Sequence, residues 1–142
     1  MIRPAAAILL VASSATAAEP AIPPGRYALG SQTVMPHLDA MRNSVDHREL
    51  CVADGALERL FPVLEHPALR GCTLAYPKPE AGGTRYVLAC ASARVASGGL
   101  LLVTAGDTFV GDLAVKMGGK NMTFTQHVRA ERHGACGAEN GP

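Results

Sequence analysis

The four cysteines, Cys51, Cys72, Cys90 and Cys136, carry the most definite chemistry in this sequence. Thiols can clamp a metal, shuttle electrons or staple a chain, and their spacing separates these uses. Zinc knuckles take cysteines in closely spaced pairs, because a tight turn must aim two thiolates at one ion. Thioredoxin-like redox motifs need the same short spacing. No two cysteines here lie that close. Both chemistries are excluded, which leaves two disulfides with three possible connectivities. The stretch CTLAYPKPEAGGTRYVLAC, from Cys72 to Cys90, narrows the choice. Folded as a hairpin around PEAGG, it sets Cys72 opposite Cys90, Leu74 opposite Leu88 and Tyr76 opposite Tyr86 on one face. Opposed residues of antiparallel strands have Cα atoms about 4.5–5.5 Å apart, inside the disulfide range. The register predicts Cys72–Cys90, and elimination then gives Cys51–Cys136. In the chain-entropy picture the short loop stabilises by about 3 kcal/mol and the long one by about 4–5 kcal/mol.

Other residues with chemical potential have plainer roles. Met35, His37 and Met41 lie close in sequence, and Met117 and Met122 flank a turn. Thioether and imidazole ligands suit copper. Yet Met117 and Met122 fall on a predicted core face, where methionine fills gaps. His127 alternates with Thr125 and Arg129 on the polar face. Copper or zinc is therefore a minor alternative, and no metal or cofactor site is assigned. His47 and Glu49 share a strand face and could form an acid/base pair, although a solvated, salt-bridged face is the simpler reading. Ser97 precedes two glycines without a nucleophile elbow. Asp107 and Asp112 belong to a turn and to a polar strand face. GGLLL and GGK lack the strand–loop–helix context of a phosphate cradle. Asn121 matches a glycosylation sequon. No catalytic residue emerges, and the expectation is a protein that is not an enzyme.

The positioning elements follow from length and patterning. The chain has 142 residues, enough for one domain. Arg3, the apolar run Ala5 to Ala12 and the small residues of SSATAAEP read as a signal peptide over 1–18, too short to span a bilayer. No later stretch is apolar for long enough to cross, so a soluble, periplasmic protein is expected. The even cysteine count suits such an oxidising compartment. Cleavage after Ala18 removes Arg3 and leaves equal numbers of basic and acidic residues. With three tyrosines, three phenylalanines and no basic run, the chain has no footprint for nucleic acid and no polybasic membrane anchor.

Residues 19–24 (EPAIPP) read as an extended, mobile lead-in, because prolines supply no amide donor and resist packing. The domain then runs from 25 to 136, with a disordered tail over 137–142. RYALGSQTVM alternates as a half-buried strand, with Tyr27, Leu29 and Met35 on one side. SVDHRELCV is a second strand. Asp54 is placed as the N-cap of a short helix, Ala56 to Phe61, that buries Leu57, Leu60 and Phe61 and is limited by Pro62. The Cys72–Cys90 hairpin follows, then ARVASGGLLLVT, DTFVGDLAVKM and NMTFTQHVRAER. Opposing Met117 to Met122 sets Val115 against Phe124 and Gly111 against Val128, so the apolar faces coincide. The fold class is all-β: a curved antiparallel meander of roughly seven strands, barrel-like, with the helix plugging one end.

The order of these features resembles a family of small exported bacterial proteins, domain-of-unknown-function family 3617. The matching residues are PPGRY at Pro23–Tyr27, ELCV before the helix, Gly71-Cys72, Cys90, the block FVGDLAVKMGGKNMTFTQHVRAER and GAC at Cys136. The similarity covers about Pro24 to Cys136 and departs at Tyr27, where members often carry Trp. It implies an exported, strand-rich, four-cysteine domain and supplies no activity, ligand or catalytic residue. The functional expectation is a non-enzymatic domain that binds an apolar small molecule or peptide on its concave face. The alternative is an envelope interaction module working through an exposed sheet edge such as the strand at Gly25.

Overall fold

The computed structural model describes residues 21–36, 45–118 and 122–137. The predicted signal peptide, His37, Met41, Asn121 and the tail beyond Gly137 lie outside the described residues. Seven strands form: β1 Gly25–Val34, β2 Asp46–Val52, β3 Thr73–Glu80, β4 Gly83–Ala89, β5 Ala96–Ala105, β6 Thr108–Met117 and β7 Met122–Arg132. They build one sheet in the order β2-β1-β7-β6-β5-β4-β3, antiparallel throughout. The strand from Gly25 is flanked by β2 and β7 and is not an edge, which corrects that part of the sequence reading. The edges are β2 and β3. They do not pair, so the sheet stays open and the barrel-like closure expected from the sequence does not occur.

Alternation along the strands sorts side chains onto two faces. One face, here the inner face, carries Tyr27 and Leu29 of β1, Phe124 and Val128 of β7, Leu113 and Val115 of β6 and Leu100 of β5, all buried. Its cover is the segment between β2 and β3. The predicted helix is replaced by three short 3-10 turns, Leu57–Leu60, Pro62–Glu65 and Pro67–Leu69. The cause is written in the sequence. Proline pushes the residue before it out of helical backbone. Phe61 and His66, which precede Pro62 and Pro67, are extended at φ −114°, ψ 92° and φ −63°, ψ 136°. Asp54 accepts a hydrogen bond from the Ala56 N–H (3.1 Å) and so makes an Asx turn that begins two residues ahead of the cap position, which Ala56 itself occupies. The predicted apolar residues keep their role, for Leu57, Leu60 and Phe61 are buried.

Both disulfides form as the register and elimination predict, Cys51–Cys136 and Cys72–Cys90. The β3–β4 register departs in one place. Leu74 opposes Leu88, but the ladder shifts between Ala75 and Lys78, so Tyr76 is not the one-to-one register partner of Tyr86. Tyr76 and Pro77 together occupy the space opposite one residue, a β-bulge. Pro77 has no N–H for a ladder, and Tyr76 takes φ 56° and is 74 % exposed. The lead-in is also more packed than expected. Ile22 is buried, and its N–H donates to the Gly55 carbonyl (3.3 Å). The hydroxyl of buried Tyr27 donates to the Pro23 carbonyl (2.5 Å), while its ring meets Phe109 edge-on. Burial pushes the Tyr27 phenol above its ordinary pKa; nearby Arg132 opposes this and Asp107 adds to it.

The cover sits on the sheet where a side chain is missing. A Cβ at Gly111 would lie 2.7 Å from Cζ of Phe61 and 3.1 Å from Cδ1 of Leu100. Gly111→Ala is expected to lower the unfolding free energy by about 1–3 kcal/mol in a denaturant titration, as overpacking of a filled core does. Gly30→Ala is the control, because its Cβ would find only ordinary contacts, 3.6 Å from His47. Equal effects from the two substitutions would contradict this seating of Phe61.

Candidate functional site

Because the cover is a broken chain of turns, it leaves part of the inner face unfilled. Between it and the ends of β1, β7 and β6 lies a cleft of about 470 Å³. Pro62, Val63, His66 and Leu69 form its roof, and Thr33, Met35, Met117, Met122, Phe124 and Gln126 its other wall. On the sheet side Phe124 and Gln126 are buried and mark the floor, Leu69 is the buried end of the roof, and His66 and Met122 are exposed and mark the rim. The volume falls within the range of small-molecule pockets, about 300–1,000 Å³, and an apolar lining with a few placed polar groups is their usual composition.

Gln126 is the polar anchor of the cleft. It is 3 % exposed. Its Oε1 accepts from the Val63 N–H (3.1 Å), and its Nε2 donates to the Thr33 hydroxyl (3.3 Å). The Val63 donor fixes which way the amide points. One side chain thus ties the cover to β7 and β7 to its neighbour β1, where Thr33 is its register partner. At the margins the cover is held to both edge strands. Glu58 accepts from the Leu74 N–H of β3 (2.7 Å), and Arg48 of β2 donates to Glu65 (2.9 Å). The second pair is exposed and contributes little.

The residues considered for chemistry from the sequence fall elsewhere or into this cleft. His47 and Glu49 line a depression of about 750 Å³ on the outer face, with Arg129 and Glu131 opposite and Ala28 and Gly30 as its floor. His127 lies on the same face, its Nδ1 2.5 Å from Asp112 Oδ1. This depression is walled by exposed charges of both signs. Ser97 is half-buried in β5 opposite Lys116, and Asp107 sits in the β5–β6 loop. Among the described residues no group of three His, Cys, Asp or Glu is placed to hold a metal. The cysteines are all in disulfides. Met35, distant in sequence, lines the cleft together with Met117 and Met122, the pair that flanks the β6–β7 turn.

The alternation of β7 sets Gln126 on the apolar face between Phe124 and Val128. A lone polar residue at an inward position of a strand was the available signal, since such a group must find partners. Val63 and Leu69 carried no signal, because nothing local says which surface they cover. Comparisons with protein-family models, with curated proteins and with solved structures find no match.

Gln126→Leu removes an acceptor and leaves the part-buried Val63 N–H without its partner. The expected loss is about 1–3 kcal/mol of stability by chemical denaturation. An unchanged midpoint would show that the Gln126–Val63 hydrogen bond does not hold the cover.

Proposed function

We propose that the protein is an exported, periplasmic, non-enzymatic domain that holds an apolar small molecule in the inner-face cleft. The observation that carries the reading is the cleft itself: a buried floor of Phe124 and Gln126 beneath a roof of short turns that ends on buried Leu69. An apolar ligand would gain roughly 25 cal/mol for each Å² taken out of water, and the amide of Gln126 or the hydroxyl of Thr33 would orient one polar group on it. Export is supported by two disulfides, by the four-cysteine resemblance and by the signal-like start of the chain. No described helix is long and apolar enough to cross a membrane.

The alternative, an envelope interaction module acting by strand addition, has less support. The free edge β2 carries Asp46, His47, Arg48 and Glu49, and β3 carries Pro77, Lys78 and Pro79. Charges and prolines on an edge oppose pairing with another strand.

Native mass spectrometry of gently purified protein is expected to show a co-purified apolar species. The emptied protein should bind N-phenyl-1-naphthylamine saturably, and Val63→Asp should weaken that binding about tenfold or more, with the fold checked by circular dichroism. No co-purified species and no saturable probe binding by folded protein would defeat the proposal.

A further inference from the structure

The rim of the same cleft has a chemistry that an apolar ligand does not use. Met35, Met117 and Met122 are all the methionines among the described residues, and all three line it. They arrive on three neighbouring strands. Met117 and Met122 are direct register partners at the end of the β6–β7 ladder. Met35 directly follows β1, whose last pair joins Val34 to Thr125 of β7, three residues from Met122. Methionine that only fills a core gap is buried. Here Met122 is 42 % exposed and the other two are half-buried, beside a Phe124 that is fully packed.

We propose that these three thioethers form a binding site for a soft monovalent cation of the copper(I) class. Neutral thioether sulfur favours copper(I) and discriminates against the harder divalent ions, which need imidazole, carboxylate or thiolate. Of those ligand types only one, the His66 imidazole, lines the cleft, and its Nδ1 is already engaged. Nδ1 of His66 accepts the Ala68 N–H (3.1 Å), so His66 would have to give up this hydrogen bond to present that nitrogen to a metal. The four cysteines are paired with each other. The donor set is therefore three sulfurs. The inference does not rest on the apolar-ligand reading: leucine preserves the apolar area of methionine and removes only its sulfur.

The test is calorimetric titration of the mature protein with silver(I), a redox-stable stand-in for copper(I), in chloride-free buffer. A parallel anaerobic titration with copper(I) against a chromophoric chelator supplies the second reading. One equivalent is expected to bind. The triple substitution Met35→Leu, Met117→Leu and Met122→Leu should lose affinity about 100-fold or more and still bind the naphthylamine probe if the apolar reading holds. His66→Ala should keep full affinity. Affinity should also persist from about pH 7.5 to about pH 5, because a thioether takes up no proton where an imidazole does. Absence of binding by the folded protein would overturn the proposal. So would undiminished binding by the triple variant, or a loss on acidification or in His66→Ala.

Discussion

The structure turns on one connection. Strands β2 and β3 follow each other in the chain but lie at opposite edges of a seven-stranded sheet. The link must traverse six inter-strand spacings, roughly 29 Å at about 4.8 Å each before twist is allowed for. It crosses the face that needs covering. A closed barrel would have brought β2 and β3 together and left its interior to side chains alone. In this molecule the crossover occupies that place, and the charged β2 and proline-bearing β3 edges have no reason to meet. Everything on the inner face is arranged around the passage: Gly111 makes room for Phe61, Gln126 receives Val63, and Glu58 satisfies an outer amide of β3.

The disulfides belong to the same design. Cys51 lies next to Val52, the last residue of β2, where the crossover departs; Cys72 immediately precedes β3, where it arrives. Each edge strand pairs with only one neighbour, so each would be the first to fray. Cys51–Cys136 ties β2 to the segment after β7, which crosses β1 through hydrogen bonds between Arg26 and the backbone of His133 and Gly134. Cys72–Cys90 closes the open end of the β3–β4 hairpin. Both ends of the cover are thereby fixed, and its middle is free to be irregular.

What could be read from the sequence was what is local and periodic. Alternation and short turns gave the β6–β7 register, with Met117 opposite Met122 and Val115 opposite Phe124. Cysteine spacing and mirrored leucines gave both disulfides. The mirrored tyrosines misled, because Pro77 interrupts the ladder that would have aligned them. The apolar spacing of Leu57, Leu60 and Phe61 identified the buried face correctly, while Pro62 and Pro67 decided that the backbone would be 3-10 turns and not a helix. The strand order lay beyond reach, since nothing near β1 announces that it pairs with β7. With the order hidden, so was the cleft, whose walls come from residues 33–35, 62–69 and 117–126.

A cover made of three turns buries the sheet without sealing it, and the cleft is the consequence. The account therefore depends on the crossover being a docked layer and not a loop lying loosely over the sheet. Amide hydrogen exchange tests this most directly, read at Val63, Leu64 and Leu69. Their N–H groups donate to Gln126, Phe61 and His66. The account predicts that Val63 exchanges at least about 100-fold more slowly than an unstructured amide, and that this protection approaches that of the central strands. Exchange of all three at unstructured rates, with the strands still protected, would contradict it.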